Sequence, residues 1–119
     1  TELNKLTNVE EENETKIKRV LKDLYMPVSI KGYDYWTLAI QIYKNGGKGK
    51  SMKGYIYPKV AKYFGKTTTQ VERVMRFAVE RVFDLCPQST LEEVFGTSTN
   101  QCKGKYTNAE FLIKIAEII

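Results

Sequence analysis

The chain has 119 residues, of which 42% are hydrophobic and 12% aromatic, which excludes a disordered segment and predicts one globular domain with a single core. Two cysteines and no histidine are too few for a disulfide scaffold or a Cys/His zinc site, so we expect no metal and no cofactor. We expect free thiols, and the alternative is one disulfide. No apolar run approaches the roughly 20 residues that span a bilayer, and no signal peptide is evident, so we expect a soluble cytoplasmic protein without a membrane partner.

The net charge of +5 is unevenly distributed along the sequence. Residues 1–15 contain five acids and one base, whereas the remaining 104 residues contain 18 bases and 9 acids. This asymmetry predicts an acidic linker or hinge over residues 1–14 and a basic domain over residues 15–119. A basic domain favours anionic partners, of which nucleic acid is the commonest. The alternative is that the lysines only keep the surface soluble.

From residue 15 onward, apolar residues recur at steps of three and four, which predicts an all-α, bundle-like domain of six helices. The first helix is marked by an apolar stripe of Ile17, Val20, Leu21 and Leu24 and ends before a proline at position 27. The second helix is marked by a stripe of Tyr35, Leu38, Ala39 and Ile42 and ends at the Asn-Gly-Gly sequence that begins at position 45. A loop rich in glycine and lysine follows over residues 46–54. The remaining helices are predicted near residues 56–64, 68–84, 89–96 and 107–119.

Threonine and serine supply the predicted starts of the last three helices, because their hydroxyls can accept hydrogen bonds from the free amides of a first turn. For the fourth helix the sequence allows a capping box of Thr67 with Gln70 or of Thr69 with Glu72, and the turn geometry favours a cap at Thr67 or Thr68. The same spacing predicts capping boxes at the starts of the fifth and sixth helices, formed by Ser89 with Glu92 and by Thr107 with Glu110.

The third and fourth helices have the spacing of a helix-turn-helix. Ala61 is small enough for the two helices to approach closely, and Gly65 permits a tight turn. Val71 and Val74 then seat the second helix on the first. Lys66 departs from the pattern, because this position is more often apolar. The alternative is an αα-hairpin with no role in DNA binding.

The fourth helix is amphipathic, which predicts a recognition helix at about residues 68–84. An apolar stripe runs along one face from Val71 to Phe83. The opposite face and its flanks carry the candidate base-reading side chains, which are Thr69, Gln70, Glu72, Arg73, Arg76 and Phe77. Arginine can donate two bonds to guanine, glutamate can accept from the cytosine amino group, and phenylalanine can contact a thymine methyl. The alternatives are an ion pair of Arg76 with Glu80 and burial of Phe77 against another helix or a partner.

Basic residues surround this helix, with ten bases and two acids between residues 44 and 81. Such side chains suit phosphate contacts, which set register and affinity without reading the base sequence. Another basic pair precedes the start of the last helix, where backbone amides are free. The candidate phosphate contacts are Lys53, Lys59, Lys66, Thr68, Lys103, Lys105, Thr107 and Asn108. For each lysine, simple solvation is the alternative.

An enzyme is not expected from this sequence. The GKS sequence at residues 49–51 resembles part of a phosphate-binding loop, but the earlier glycine of that motif falls on Lys44. No histidine can act as a base, and no paired carboxylates stand out. A second class of function is a protein-interaction module that docks RNA polymerase or a dimer partner, with Phe77 as an anchor.

Beyond the helix-turn-helix spacing, four segments of the chain match a known family: IKGYDYWTLAIQIY, YPKVAKYFGKTTTQVERVMRFAVE, FG at 95–96 and TNAEF at 107–111. These segments, which lie within residues 15–119, resemble the C-terminal effector domain of the stage-zero sporulation response regulator family, which controls entry into endospore formation. The resemblance implies a six-helix domain that binds double-stranded TGTCGAA-type boxes, often as tandem copies arranged head to tail. It also implies that Glu72, Arg73 and Arg76 occupy base-reading positions, with Thr69 nearby.

Three positions depart from the family pattern. Gln70 stands where an arginine is familiar, Phe77 replaces a histidine and Tyr106 replaces a proline. The first two positions bear on the preference for flanking bases, and the third bears on the approach to the last helix.

The resemblance also implies partners and regulation. Members carry an N-terminal receiver domain whose phosphorylation relieves inhibition and promotes a homodimer. This sequence has no room for a receiver, so we expect residues 1–14 to be the interdomain hinge. By position, residues 84–98 correspond to the region that contacts the RNA polymerase sigma factor in the family.

Overall fold

Six α-helices make up most of the described chain, which confirms the predicted all-α fold. The computed structural model describes residues 2–96 and 105–119, with side chains from residue 12 onward, and these residues form no β-strand. The helices are α1 (Glu2–Asp23), α2 (Lys31–Ile42), α3 (Tyr57–Phe64), α4 (Thr68–Leu85), α5 (Gln88–Phe95) and α6 (Asn108–Ile118).

The hydrophobic core is built around α2, which contacts α1, α3, α4 and α6. The predicted stripe of α1 is buried, with Ile17 and Leu21 completely inside. Trp36 and Ile40 are also completely buried, although the predicted stripe of α2 did not include them. They are buried because helices pack on more than one side of α2, so its apolar surface is wider than one stripe.

Helix α1 is longer than the sequence predicts. It begins at Glu2, so most of the acidic segment predicted to be a linker is helical here. Glutamate has a high intrinsic helix propensity, which accounts for the extension. The helix ends at Asp23, and Tyr25 then adopts the left-handed conformation, with φ of 67°, ahead of Pro27. The role of residues 1–14 as an interdomain hinge stays a prediction.

The glycine- and lysine-rich connection between α2 and α3 forms two wide turns, at Tyr43–Gly47 and Met52–Ile56. The second turn is closed by Ser51, whose hydroxyl oxygen accepts a hydrogen bond from the backbone N–H of Gly54 at 2.9 Å. It leads directly into α3, where Pro58 occupies the first turn, the position in a helix where proline is tolerated.

Helix α4 crosses α2 at a very close contact. A Cβ atom added to Gly32 would lie 2.5 Å from the Cβ of Ala78 and 3.1 Å from the carbonyl oxygen of Val74. Gly32 has no side chain and Ala78 has only a methyl group, so the backbones of α2 and α4 can approach closely. This contact fixes the position of α4 on the core.

The predicted cap of α5 is wrong. The helix begins at Gln88 directly after Pro87, which has no side-chain acceptor, so Ser89 lies inside the first turn and forms no capping box with Glu92. The predicted end is confirmed, because Gly96 follows the helix with φ of 85°.

Candidate nucleic-acid interface

The connection between α3 and α4 is the turn of a helix-turn-helix. Gly65 adopts φ of 67° and ψ of 40°, and the backbone N–H of Lys66 donates to the Ala61 carbonyl at 2.9 Å, which closes the end of α3. Thr67 then starts α4. Its hydroxyl accepts from the N–H of Gln70 at 3.1 Å, and the Gln70 side-chain oxygen accepts from the N–H of Thr67 at 3.0 Å. The capping box favoured by the sequence is confirmed.

The two faces of α4 are separated as predicted. Five of the seven residues of the apolar stripe are buried completely or nearly so, namely Val71, Met75, Ala78, Val79 and Val82. The other two, Val74 and Phe83, are partly buried. The opposite face is exposed at Thr69, Arg73, Arg76, Phe77 and Glu80. Phe77 is not buried against another helix of the described chain, since 52% of the residue is exposed. Helix α4 therefore presents two arginines on its solvent side.

One ion pair joins two of the candidate base-reading residues. Arg76 Nη1 lies 3.1 Å from Glu72 Oε1, so Arg76 pairs with Glu72 rather than with Glu80. Both partners remain accessible, with 57% of the Arg76 side chain and 34% of the Glu72 side chain exposed. The spacing alone allowed either partner. An ion pair on a helix is more stabilising when the acid lies four residues before the base than when it lies four residues after it. This rule would have identified Glu72 as the partner of Arg76.

A cleft of about 910 Å³ lies between α4, the start of α6 and the turn before α3. It brings together eight of the residues predicted to read bases or contact phosphate, namely Lys53, Thr68, Thr69, Glu72, Arg76, Lys105, Thr107 and Asn108. These residues come from three separate parts of the sequence. The fold therefore collects most of the predicted site on one side of the recognition helix.

Other predicted residues do not line this cleft. Gln70 is engaged in the capping box through its side-chain oxygen, and Arg73 and Phe77 lie on the exposed face of α4. Lys66 is exposed in the turn before α4. Lys103 lies outside the described residues.

Lys59 lies on a different groove from the other predicted phosphate contacts. That groove is formed by α1, α2 and the residues before α3, and Lys59 Nζ stands 4.8 Å from the centroid of the Tyr55 ring. This is a cation–π contact, in which the ring face attracts the ammonium group. The structure therefore does not bring Lys59 to the cleft.

Two residues at the start of α6 have partners within the protein. The Lys105 ammonium donates to Asp84 Oδ1 at 2.9 Å and thereby joins the segment before α6 to the end of α4. This contact lowers the pKa of the Asp84 carboxyl. Thr107 caps α6, and its box with Glu110 is confirmed.

Asn108 does not lie on the surface, where the sequence interpretation placed it as a phosphate contact. Only 7% of the residue is exposed, and its side-chain amide donates to the Tyr57 hydroxyl at 2.9 Å and to the Glu72 carbonyl oxygen at 3.3 Å. Burial raises the pKa of the Tyr57 hydroxyl, and the bond from Asn108 opposes this shift. The sequence interpretation missed Tyr57, because no local pattern indicates a contact with a residue 51 positions away.

Two other features are absent from the described part of the chain. No helix within residues 2–96 and 105–119 is long and apolar enough to cross a membrane. Among the side chains of residues 12–96 and 105–119, no group of three or more acidic or cysteine residues is arranged to hold a metal ion.

Comparison with known protein families gives one match that covers most of the chain. Residues 17–119 match the family described as sporulation initiation factor Spo0A C terminal. The match includes the helix-turn-helix and every described residue of the cleft.

Proposed function

Because this chain belongs to the sporulation initiation factor Spo0A C-terminal family, a family of DNA-binding transcription-factor domains, we propose that α4 reads a TGTCGAA-type box in double-stranded DNA. The observation that carries this proposal is the division of α4 into a buried apolar face and an exposed face with Arg73 and Arg76. A helix seated in this way can enter a major groove with its charged side chains directed at base edges.

The roles of the base-reading residues follow from their chemistry. Arg73 and Arg76 each donate to guanine O6 and N7, and Glu72 accepts from the cytosine amino group. The ion pair between Glu72 and Arg76 holds both groups in place before DNA arrives, which reduces the entropy lost on binding. Thr69, Gln70 and Phe77 flank these three and contact neighbouring bases, with the ring of Phe77 against a thymine methyl.

Phosphate contacts on both sides of α4 set its register in the groove. Lys66 and Thr68 contact one strand beside the start of α4. Lys53, Lys105 and Thr107 contact the other strand along the cleft, where the free amides of the α6 first turn also favour an anion. When DNA binds, the Lys105 ammonium leaves the Asp84 carboxylate and contacts a phosphate instead. Lys103 is a further proposed phosphate contact, on the basis of its charge alone.

The test compares binding to a labelled TGTCGAA duplex and to a scrambled duplex by fluorescence anisotropy at two salt concentrations. We expect wild-type protein to prefer the box and Arg73→Ala to lose that preference by about 1–3 kcal/mol while keeping non-specific binding. Arg19→Ala removes the same charge from an exposed position on α1 and serves as the control. An Arg73→Ala variant with undiminished preference would refute the reader role.

A second candidate function is the docking of a protein partner. The exposed ring of Phe77 favours it, because a large apolar side chain on a charged face suits an interface. Phe77→Ala separates the two functions: it reduces preference for flanking bases if Phe77 reads DNA, and it weakens partner capture with DNA binding unchanged if Phe77 is an anchor.

The further partners that we propose follow from the family. The exposed side of α5, with Gln88, Glu92 and Glu93, contacts the RNA polymerase sigma factor, and copies of the domain bind tandem boxes head to tail. Since a transcription factor works on chromosomal DNA, we propose that the protein acts in the cytoplasm, at the nucleoid. Titration of sigma factor against Glu92→Lys and Glu93→Lys variants tests the first contact, and the stoichiometry on one-box and two-box duplexes tests the second.

A further inference from the structure

Asn108 joins the start of α6 to the recognition helix through its side-chain amide. The group that faces the Glu72 carbonyl must be the NH2 end, because a carbonyl oxygen can only accept. The same nitrogen donates its second hydrogen to the Tyr57 hydroxyl of α3. One buried side chain therefore binds both helices of the helix-turn-helix.

The other end of the Asn108 amide has no partner. Its Oδ1 atom is buried and forms no hydrogen bond within the described residues. A buried acceptor without a partner costs free energy, so an apolar residue at this position would avoid that cost. The side chain is thus useful here only for its two donated bonds.

These bonds act at the turn of α4 that carries the readers. Glu72 supplies the carbonyl that accepts from Asn108, and its own carboxylate pairs with Arg76 one turn later. On the α6 side, Asn108 directly follows Thr107, which lines the same cleft. The bond from Asn108 to Glu72 therefore fixes the offset between the base-reading turn and the phosphate-contacting start of α6.

We infer that Asn108 is a positioning residue for sequence readout, which holds the Glu72–Arg76 turn at a set distance from the α6 N-terminus. This inference rests on the proposed function. A misplaced reader still contacts phosphate-rich DNA, because non-specific binding depends on charge. Loss of the bond therefore lowers discrimination between duplexes and leaves overall attraction to DNA unchanged.

The experiment uses two variants that remove different parts of the same network. Asn108→Leu keeps the size of the side chain, stays neutral and removes both donated bonds. Tyr57→Phe removes only the bond to α3 and leaves the bond to Glu72. We expect Asn108→Leu to lower the ratio of box to scrambled affinity by roughly tenfold, with the salt dependence unchanged, and Tyr57→Phe to keep the ratio within about twofold.

Asn108→Asp provides a second test should the leucine variant not fold. Aspartate has the same shape as asparagine and is also favoured near the start of a helix, but it lacks the NH2 group that donates to the Glu72 carbonyl. The added charge weakens binding to both duplexes alike, so the ratio still reports positioning. An unchanged ratio in a folded Asn108 variant, or an equal loss in Tyr57→Phe, would overturn the inference.

Amide hydrogen exchange of residues 72–77 gives a readout without DNA. Exchange is expected to be faster in the Asn108 variants than in Tyr57→Phe, because only the former lose the contact to α4. Equal exchange in all three variants would overturn the inference. A wild-type protein that does not distinguish the two duplexes would refute the proposed function, and exchange would then decide the positioning role alone.

Discussion

The indole Nε1 of Trp36 donates a hydrogen bond to the carbonyl oxygen of Met75 at 2.9 Å inside the core. Both residues are completely buried, and the bond joins the middle of α2 to the middle of the recognition helix. The Trp36 ring also packs edge-on against Phe111 of α6, with centroids 4.8 Å apart. Trp36 thus connects α2 to α4 and α6, the two helices that line the cleft.

Replacing Trp36 by phenylalanine is expected to destabilise the fold by about 2–4 kcal/mol. The change removes a buried hydrogen bond and leaves a cavity where the indole was. Urea denaturation followed by circular dichroism measures the effect, because Trp36 is the sole tryptophan and its loss removes the fluorescence signal. Tyr63→Phe, at a side chain that projects into solvent, is the matched control and should lie within about 0.5 kcal/mol of wild type.

Replacing Gly32 by alanine is expected to cost about 1–3 kcal/mol of stability, because the new methyl group would force α2 and α4 apart at Ala78. A double-mutant cycle with Ala78→Gly gives the decisive measurement in thermal unfolding. Purely additive effects in that cycle would show that the two residues do not oppose each other.

The recognition helix could be predicted from sequence because its signals are local. The stripe from Val71 to Phe83 follows the helix period, and Thr67, Gln70 and Gly65 define its start within a few residues. Such patterns depend on hydrogen bonds and side-chain spacing within one or two turns. They carry enough information to predict which face of α4 is exposed.

Long-range contacts could not be predicted in the same way. Asn108 resembles a surface residue, because it follows a capping threonine in a basic stretch, yet it is buried once α6 packs on α4. Lys59 has the same charge as Lys53 and lies six positions later, but Lys53 lies in the turn before α3 and lines the cleft, whereas Lys59 lies on α3 and lines another groove. In both cases the outcome depends on how helices distant in sequence pack together.

The turn of the helix-turn-helix is expected to tolerate asparagine better than alanine at Gly65. No atom lies within 4 Å of a Cβ added there, so the cost comes from the left-handed backbone alone. We expect Gly65→Ala to lose about 1 kcal/mol and Gly65→Asn to lose less, since asparagine adopts this conformation more readily. Urea midpoints at constant m-value measure both changes. Equal losses for the two variants would argue against a conformational cause.

The contact between Asp84 and Lys105 is expected to stabilise the fold in a pH-dependent way. The hydrogen bond from Lys105 lowers the pKa of the folded Asp84 carboxyl below its ordinary value of 3.8. The stabilisation is therefore fully present only at pH values well above the ordinary value, and it is lost as the pH falls through the lower folded value. A double-mutant cycle of Asp84→Asn and Lys105→Gln, measured by thermal unfolding at low salt, should show a larger coupling free energy at pH 6 than at pH 2. Coupling that is the same at both pH values would contradict this assignment.

Two lysines that the sequence treats alike are expected to differ in DNA binding. Lys66 is exposed in the turn before α4, whereas Lys59 lies over the Tyr55 ring on a separate groove. Each phosphate contact releases about one counterion. Lys66→Ala should therefore lower the magnitude of the slope of log affinity against log salt concentration by about one, and it should weaken the affinity for box and scrambled duplexes equally. Lys59→Ala removes the same charge and should leave the slope unchanged. If the Lys59 variant alone altered the slope, the DNA backbone would have to pass along the groove at Tyr55. The proposal that phosphates lie beside α4 and along the cleft would then be wrong.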